Sequence, residues 1–425
     1  MRTAIIGGGA AGFFLAVNLK EMVPAMEVVV FERSHHLLAK VEVSGGGRCN
    51  CTNSFEDITD LKMVYPRGFR LLKRLFHVFD HNDTWQWFTS RGVPLVTQDD
   101  HCVFPAAQDS HAIIDCLIGE ARRRGVVIKT GHGISSVEQL ADFDFIAVTT
   151  GGMPHRNTST ALMQWLVDEG HEIEPPVPSL FSLSIADHTL KNLMGVVAQE
   201  AQVMIPGTKF RSQGPLLVTH WGLSGPAILR LSSYAARFLH ERDYKTPLSV
   251  NWTGQDEVTI GHGLAELISR HPQKMVTTIA PLSLTQRLWA YLIEKTLGEK
   301  AGSRWCDLGK KDLNRLVNAI ANDQITTTGR APFRDEFVTC GGVSLRSIDL
   351  STLESKTRPN LFFAGEVLDI DGVTGGFNFQ AAWTTAYVVA KEIARKDERL
   401  KIKDERLRWD NYLIRKAVGI LTCDG

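Results

Sequence analysis

The apolar positions near the start of the chain fall into three blocks. Ala4, Ile5 and Ile6 form one, Phe13 to Val17 a second, and Val28 to Phe31 a third. Short continuous runs read as strands buried on both faces, and the middle block, continued to Lys20, reads as a helix. Gly7, Gly9 and Gly12 separate the first two blocks. The order is therefore strand, glycine turn, helix, strand.

Farther along, Phe69, Leu72, Phe76 and Phe79 recur at three- and four-residue steps and predict helix over 68–91. Ser110 to Arg124 reads as an amphipathic helix with Ser110 at its N-cap. Val126 to Ile134 and Phe143 to Val148 read as strands, the latter running into Thr149, Thr150, Gly151 and Gly152. Pro175, Pro176 and Pro178 punctuate the chain and mark a crossover between domains. Short alternating strands follow, such as Leu180–Ile185 and Val196–Ile205. Helical patterns then run over 256–322, clearest at Leu284–Leu297 and Lys311–Ala321. A strand, Leu361 to Ala364, and a helix, Phe379 to Ala394, close the pattern. The tail duplicates a seven-residue unit, Lys396–Leu400 and Lys403–Leu407, with Ile393, Leu400, Leu407 and Ile414 in heptad step. One apolar residue per heptad is too thin for a coiled-coil seam, so the tail reads as a solvated helix.

The glycines give this pattern its chemistry. Gly7-x-Gly9-x-x-Gly12 sits between a strand and a helix, as a dinucleotide site requires. Gly7 permits the turn, Gly9 lets backbone approach a pyrophosphate, and Gly12 lets helix pack on strand. The N–H groups of Ala10 and Ala11 open the helix and favour anions. Glu32 ends the second strand, 20 residues beyond Gly12. A carboxylate there accepts ribose hydroxyls, which favours FAD or NAD over a 2′-phosphorylated nucleotide. Gly45, Gly46 and Gly47 precede Arg48, Cys49 and Asn50 in a polar loop where Arg48 suits a pyrophosphate. Gly365-Glu366 ends an apolar strand, and Gly375, Gly376, Phe377 and Asn378 lead into the last helix. A helix N-terminus there would favour negative charge on a reduced flavin ring.

Composition narrows the classes. At 425 residues, two or three domains are expected. Lys+Arg and Asp+Glu are each 47, so net charge gives no case for nucleic acid or an anionic membrane. No apolar run is long enough to span a bilayer, and the nucleotide strand leaves no room for a signal peptide. Seven scattered cysteines fit free thiols and a cytoplasmic location. No metal-type spacing is present, so no metal is expected. Gly222-Leu-Ser224-Gly-Pro226 lacks the second glycine of a nucleophile elbow. Candidate catalytic residues are Cys49, His220 and Cys340.

With these residues in hand, the chain resembles the BaiN/RdsA-type NAD(P)/FAD-dependent oxidoreductases, also called the aminoacetone oxidase-like FAD-binding family. The stretches that carry the resemblance are Ser44–Asn53, Thr219–Pro226, Thr339–Val343 and Gly365–Asn378. The resemblance implies an α/β fold: a two-dinucleotide-type, Rossmann-like FAD-binding domain interrupted by an inserted β-barrel-like plus helical domain. The expected boundaries are 1–180 and 345–395 for the split FAD domain and 181–344 for the insert (β-rich 181–255, helical 256–325). A charged helical tail takes 396–425. The expected cofactor shell adds Arg33, Lys40, Ser44, Ile134, Thr150, Gly151 and Gly152 to the residues above. Two departures stand out: residues 153–159 lack the family's glycines, and Thr385-Ala386-Tyr387 replaces a glycine in the last helix.

The expected function is hydride transfer between flavin and a small organic substrate held between the FAD domain and the insert. A second glycine fingerprint for a nicotinamide is missing, which leaves NAD(P)H as a transient donor. Two rivals are a nucleic-acid-modifying flavoprotein, disfavoured by the neutral charge, and a non-catalytic flavin redox sensor. The pattern carries no statement about oligomeric state.

Overall fold

The computed structural model describes residues 1–152, 160–331 and 338–421, without the side chains of residues 160 and 404–421. The expectations for the loop 153–159, for residues 334–337, and for the side chains of the second heptad unit beyond Lys403 lie outside the described residues.

The early apolar blocks become the centre of a five-stranded sheet. Its order is Leu361–Phe363, Phe145–Val148, Arg2–Ile6, Glu27–Phe31, Val127–Lys129, and every pair is parallel. Parallel strands need crossovers and coverage on both faces, which is why these strands are apolar throughout. The first helix, Ala10–Met22, covers the sheet and is buried from Ala11 to Leu19. Beside it lies the last helix, Phe377–Leu421. Phe14 fixes the two together, with ring centroids 5.1 Å from Trp383, 4.6 Å from Trp87 and 5.5 Å from Phe79. Asn18, inside this apolar face, accepts from the Trp87 indole N–H at 3.1 Å. A buried polar group is thus satisfied rather than stranded. This is a Rossmann-type α/β fold.

A second apolar core forms around an eight-stranded antiparallel sheet. Its order is Val197–Ala198, Leu216–Val218, Gly222–Ser224, Leu183–Ile185, Asp323–Arg330, Pro247–Asn251, Gln202–Met204, Arg211–Gln213. Helices Glu257–Arg270, Gln286–Leu297 and Lys310–Ala321 bury Ile260, Leu264, Leu288, Leu316 and Ile320 in the same core as Leu248, Val250 and Ile325. Asp256 and Thr285 cap the first two of these helices, accepting from Thr259 N–H at 2.7 Å and Leu288 N–H at 3.3 Å.

Several elements differ from the pattern reading. The helix over 68–91 is two, Phe69–Leu75 and His81–Thr89, because Asp80 starts the second with a capping box on Asp83. Ser110 stands at the N-cap of its helix as expected, but its side chain makes no capping bond. Its hydroxyl donates instead to the Glu42 carbonyl at 3.0 Å and its N–H to the Gly47 carbonyl at 2.9 Å, tying the helix to the glycine loop before Arg48. The strand over 126–134 stops at Lys129, and Gly131 and His132 turn back to donate to the Ser34 and Glu32 carbonyls. The proline run is a strand, Ile173–Ser179, paired antiparallel with Val338–Val343. It belongs to a two-stranded ribbon, where missing N–H groups are tolerated. The last helix begins two residues earlier than its apolar pattern and continues unbroken to Leu421.

Candidate functional site

The glycine turn is built by contacts that leave no room for a side chain. Gly7 has φ +116° and donates to the Phe31 carbonyl at 2.8 Å. A Cβ on Gly12 would press into the Gly7 carbonyl and the Thr149 hydroxyl. Thr149 donates to the Gly7 carbonyl at 3.0 Å, so the strand that leads to Thr150, Gly151 and Gly152 is clamped to the turn. By contrast, a Cβ on Gly9 would meet nothing within 4 Å, and Gly9 supplies no side chain to cap the helix. The first N–H groups of the helix therefore face open space in the geometry that an anion needs.

Glu32 lies at the end of the second strand as expected, but its carboxylate already has two tasks. One oxygen accepts from Gly8 N–H and the other from Ser34 N–H, both at 2.8 Å. A carboxylate has about four acceptor sites, so capacity remains for a ribose hydroxyl. Arg33 and Ile134 flank it, with the Arg33 Cβ 3.3 Å from where a Gly133 side chain would begin and Ile134 half-buried on the core.

The other end of the candidate site comes from distant sequence. A Cβ on Gly365 would meet the Ala11 Cβ at 2.8 Å, so the Gly365 turn sits on the start of the first helix. Thr385, in the stretch that departs from the family's glycine, accepts the Gly365 N–H at 2.9 Å and pins that turn to the last helix. Glu366 pairs with Lys40 Nζ at 2.8 Å and accepts from Thr339 N–H at 2.7 Å. A side chain on Gly152 would collide with both Thr339 and Glu366. The Gly375–Gly376 turn packs on Asn50 to Asn53. Asn53 donates to the Gly375 carbonyl at 3.1 Å, and the Asn50 amide oxygen accepts from Gly376 N–H at 3.2 Å. Asn378 braces the turn by exchanging two hydrogen bonds with Gly372, at 2.8 and 2.9 Å. Tyr65 donates to the Phe377 carbonyl at 2.8 Å.

Arg48 is held within its own loop. Its Nε donates to the Gly45 carbonyl and its Nη1 to Gln108, each at 3.1 Å, and the guanidinium lies 4.3 Å from the Phe104 ring centroid. Ser44 donates to the Val41 carbonyl at 2.8 Å, which shapes the turn that leads into Gly45.

The candidate reactive residues separate. Cys49 is buried with φ +60°, and burial pushes its thiol up to about 12 despite a hydrogen bond with Ser44. Burial likewise raises Cys340 to about 11, with Arg67 pulling the other way. Both stay protonated at neutral pH and neither is a ready nucleophile. His220 is exposed on the turn after Leu216–Val218, its ring edge-on to Trp221 at 4.1 Å.

Sequence reasoning missed Arg67 and Asp371. Asp371 is fully buried, paired with the Arg67 guanidinium, and accepts from the Ser179 hydroxyl at 2.9 Å. Arg67 also donates to the Ser233 carbonyl at 2.9 Å. Burial works against the arginine's charge, and the contact with Asp371 more than restores it; burial also pushes the Asp371 carboxyl up, with the Arg67 guanidinium pulling it back down. Thr149, Thr339 and Thr385 were missed as well. Their roles depend on partners that no local spacing reveals.

A glycine turn at an uncapped helix, a carboxylate at the next strand end and a second glycine turn brought alongside define a flavin-dependent oxidoreductase with FAD as its cofactor. The model of the HI0933-like protein Rossmann domain matches residues 1–392, and the chain belongs to that family. Three relatives align over nearly their whole lengths. A ribosomal RNA dihydrouridine synthase of Haemophilus influenzae is 28% identical over 92% of this chain and 98% of its own. The Escherichia coli protein of the same name is 25% identical, over 92% and 97%. A 3-dehydro-bile acid delta(4,6)-reductase of Clostridium scindens is 23% identical over 93% and 99%. Among solved structures, 3-ketosteroid delta1-dehydrogenase of Sterolibacterium denitrificans superposes with a TM-score of 0.47 at 11% identity, over 93% of this chain and 99% of that one. The family bears out the resemblance read from the motifs, and an enzyme replaces the sensor reading. Among the described residues, no helix is long and apolar enough to cross a membrane, and no group of His, Cys, Asp and Glu could hold a metal ion.

Proposed function

We propose that this protein reduces a carbon–carbon double bond conjugated to a carbonyl, with electrons from an NAD(P)H that binds transiently. The chemistry shared by its relatives carries this reading. Making dihydrouridine saturates the double bond of a uracil ring, and a delta(4,6)-reductase acts on the double bonds of a steroid. Bound FAD supplies the hydride chemistry.

The chain's own residues bind and orient. Gly7 and Gly9, with the N–H groups of Ala10 and Ala11, would take the pyrophosphate, and Glu32 a ribose hydroxyl. Lys40, Glu366 and the Gly151–Gly152 segment would line the middle of the cofactor. The Asn50–Asn53 segment and the Gly375–Asn378 turn would hold its ring end. Cys49, the residue before that segment, would keep its proton there. In this reading residues 1–180 and 345–395 are the cofactor domain, 181–344 the insert and 396–425 the tail. The acceptor enters between the first two.

The acceptor is a small enone or a uracil base within RNA. The second is favoured by the two relatives named for ribosomal RNA. Anaerobic rapid mixing tests both. The protein is reduced with NADH or NADPH until its yellow absorbance is lost, then mixed with an α,β-unsaturated ketone or with ribosomal RNA. Recovery of the absorbance faster than in buffer supports the reading and names the acceptor. Recovery with neither acceptor overturns it.

A further inference from the structure

Zero net charge describes the whole chain and says nothing of how charge is distributed. Helix Lys310–Ala321 turns Leu316, Ile320 and Ala321 inward, and leaves Lys310, Lys311, Asn314, Arg315 and Asn318 exposed on its other side. That side walls an open groove of about 810 Å³, which Lys295, Asn322 and Gln324 complete. From Lys310 to Asn322 the wall runs for roughly 18 Å at 1.5 Å per residue.

The lining has a definite chemistry. Four cations, four carboxamides, Thr296, Ala319 and one acid, Asp323, line it. The acidic groups on this face are mostly committed. Asp323 is buried against Lys295 Nζ at 2.5 Å, Asp312 against Lys300 Nζ at 2.8 Å, and Glu257 accepts from the Asn322 amide at 2.6 Å. Arg315 donates to the Thr296 carbonyl and lies 3.9 Å from Asp312. Lys310 and Lys311 extend beyond these pairs. Cations spaced along a groove and interleaved with carboxamides match a ribose-phosphate backbone. Lys310 and Lys311 would neutralise phosphates, and the amides both donate to and accept from 2′-hydroxyls and base edges.

We propose that this groove on the helical part of 256–325 binds the backbone of an RNA, and so holds a polynucleotide whose base is the acceptor. The proposal rests on the double-bond reductase reading with RNA as acceptor. The groove would set affinity and the cofactor site would do the chemistry.

The test uses full-length, FAD-loaded protein and a fluorescein-labelled RNA hairpin with uridines in its loop. Binding is followed by anisotropy at several salt concentrations. The wild type should bind with a Kd that rises steeply with salt. Lys310→Glu with Lys311→Glu should weaken binding by about 10-fold or more and flatten the log–log salt slope by roughly 1.4, or about 0.7 per lost phosphate contact. Lys310→Gln with Lys311→Gln should flatten the slope with a smaller loss, and serves if the charge-reversed pair folds poorly. Failure of the wild type to bind at 50 mM salt, or equal slopes in wild type and both variants, overturns the proposal. Reduction of the flavin by NAD(P)H and turnover of an α,β-unsaturated ketone, read on the same samples, should not change. If RNA binding fails while ketone turnover persists, the groove is wrong and the reductase reading stands. If the reduced flavin responds to neither acceptor, that reading itself has failed.

Discussion

At the scale of single residues, most of the candidate site depends on atoms with two jobs. Glu32 anchors two backbone N–H groups and, in the proposed reading, also takes a ribose hydroxyl. Glu32→Ala should therefore weaken FAD retention by about 10- to 100-fold, the worth of a hydrogen bond to a charged group, and also lower the thermal midpoint. Equilibrium dialysis of FAD and a melting curve on the apoprotein separate the two effects. His171 gives a pH-dependent case. Its Nδ1–H donates to the Leu166 carbonyl at 2.9 Å and its Nε2 accepts from Ser355 at 2.8 Å, which fixes the neutral ring. Burial lowers its pKa from the usual 6.5. The unfolded chain thus takes a proton that the folded one refuses, so stability present above about pH 6.5 is lost as pH falls below it. Melting temperatures of the wild type should decline between pH 7 and 5, with a flatter profile in His171→Asn.

At the scale of elements, turns and helix starts are held by pairs far apart in sequence. A Cβ at Gly376 would enter the Thr52 carbonyl, and φ there is +86°. Gly376→Ala should displace the turn that leads into the last helix and reduce FAD occupancy, with far-UV circular dichroism nearly unchanged. The Arg67–Asp371 pair joins the segment before Phe69–Leu75 to the Asp369–Gly376 loop and to Ser233. Arg67→Met leaves a buried carboxylate unpaired and should cost about 3–5 kcal/mol of stability. Arg67→Met with Asp371→Asn should recover part of that loss in the same denaturant titration. These elements also show why pattern reading failed where it did. Asp80 started a new helix within an apolar period that ran on, and three prolines were accepted by a strand because a two-stranded ribbon needs fewer N–H donors.

At the scale of the whole molecule, two large apolar cores divide the described residues, and the residues proposed to hold the cofactor gather around the first. Purified protein should be yellow and release FAD on denaturation; a colourless preparation that still fails to take up added FAD would contradict the cofactor assignment. Sequence alone was enough for the opening turn, because strand, glycines, helix and Glu32 are neighbours whose geometry follows from local sterics and from a fixed strand length. It was also enough for the second glycine turn and for the helices of 256–325, whose amphipathic period matches the core they bury. The tertiary structure alone decided that Gly365 rests on Ala11, that Thr385 and Thr149 clamp the two turns, and that Arg67 meets Asp371. Those contacts join residues separated by more than a hundred positions, or by a loop and a helix. They are set by how the sheet stacks its crossovers, and no periodicity along the chain encodes that stacking. Charge divides the same way: the sequence fixes the sum, and folding decides which face carries it.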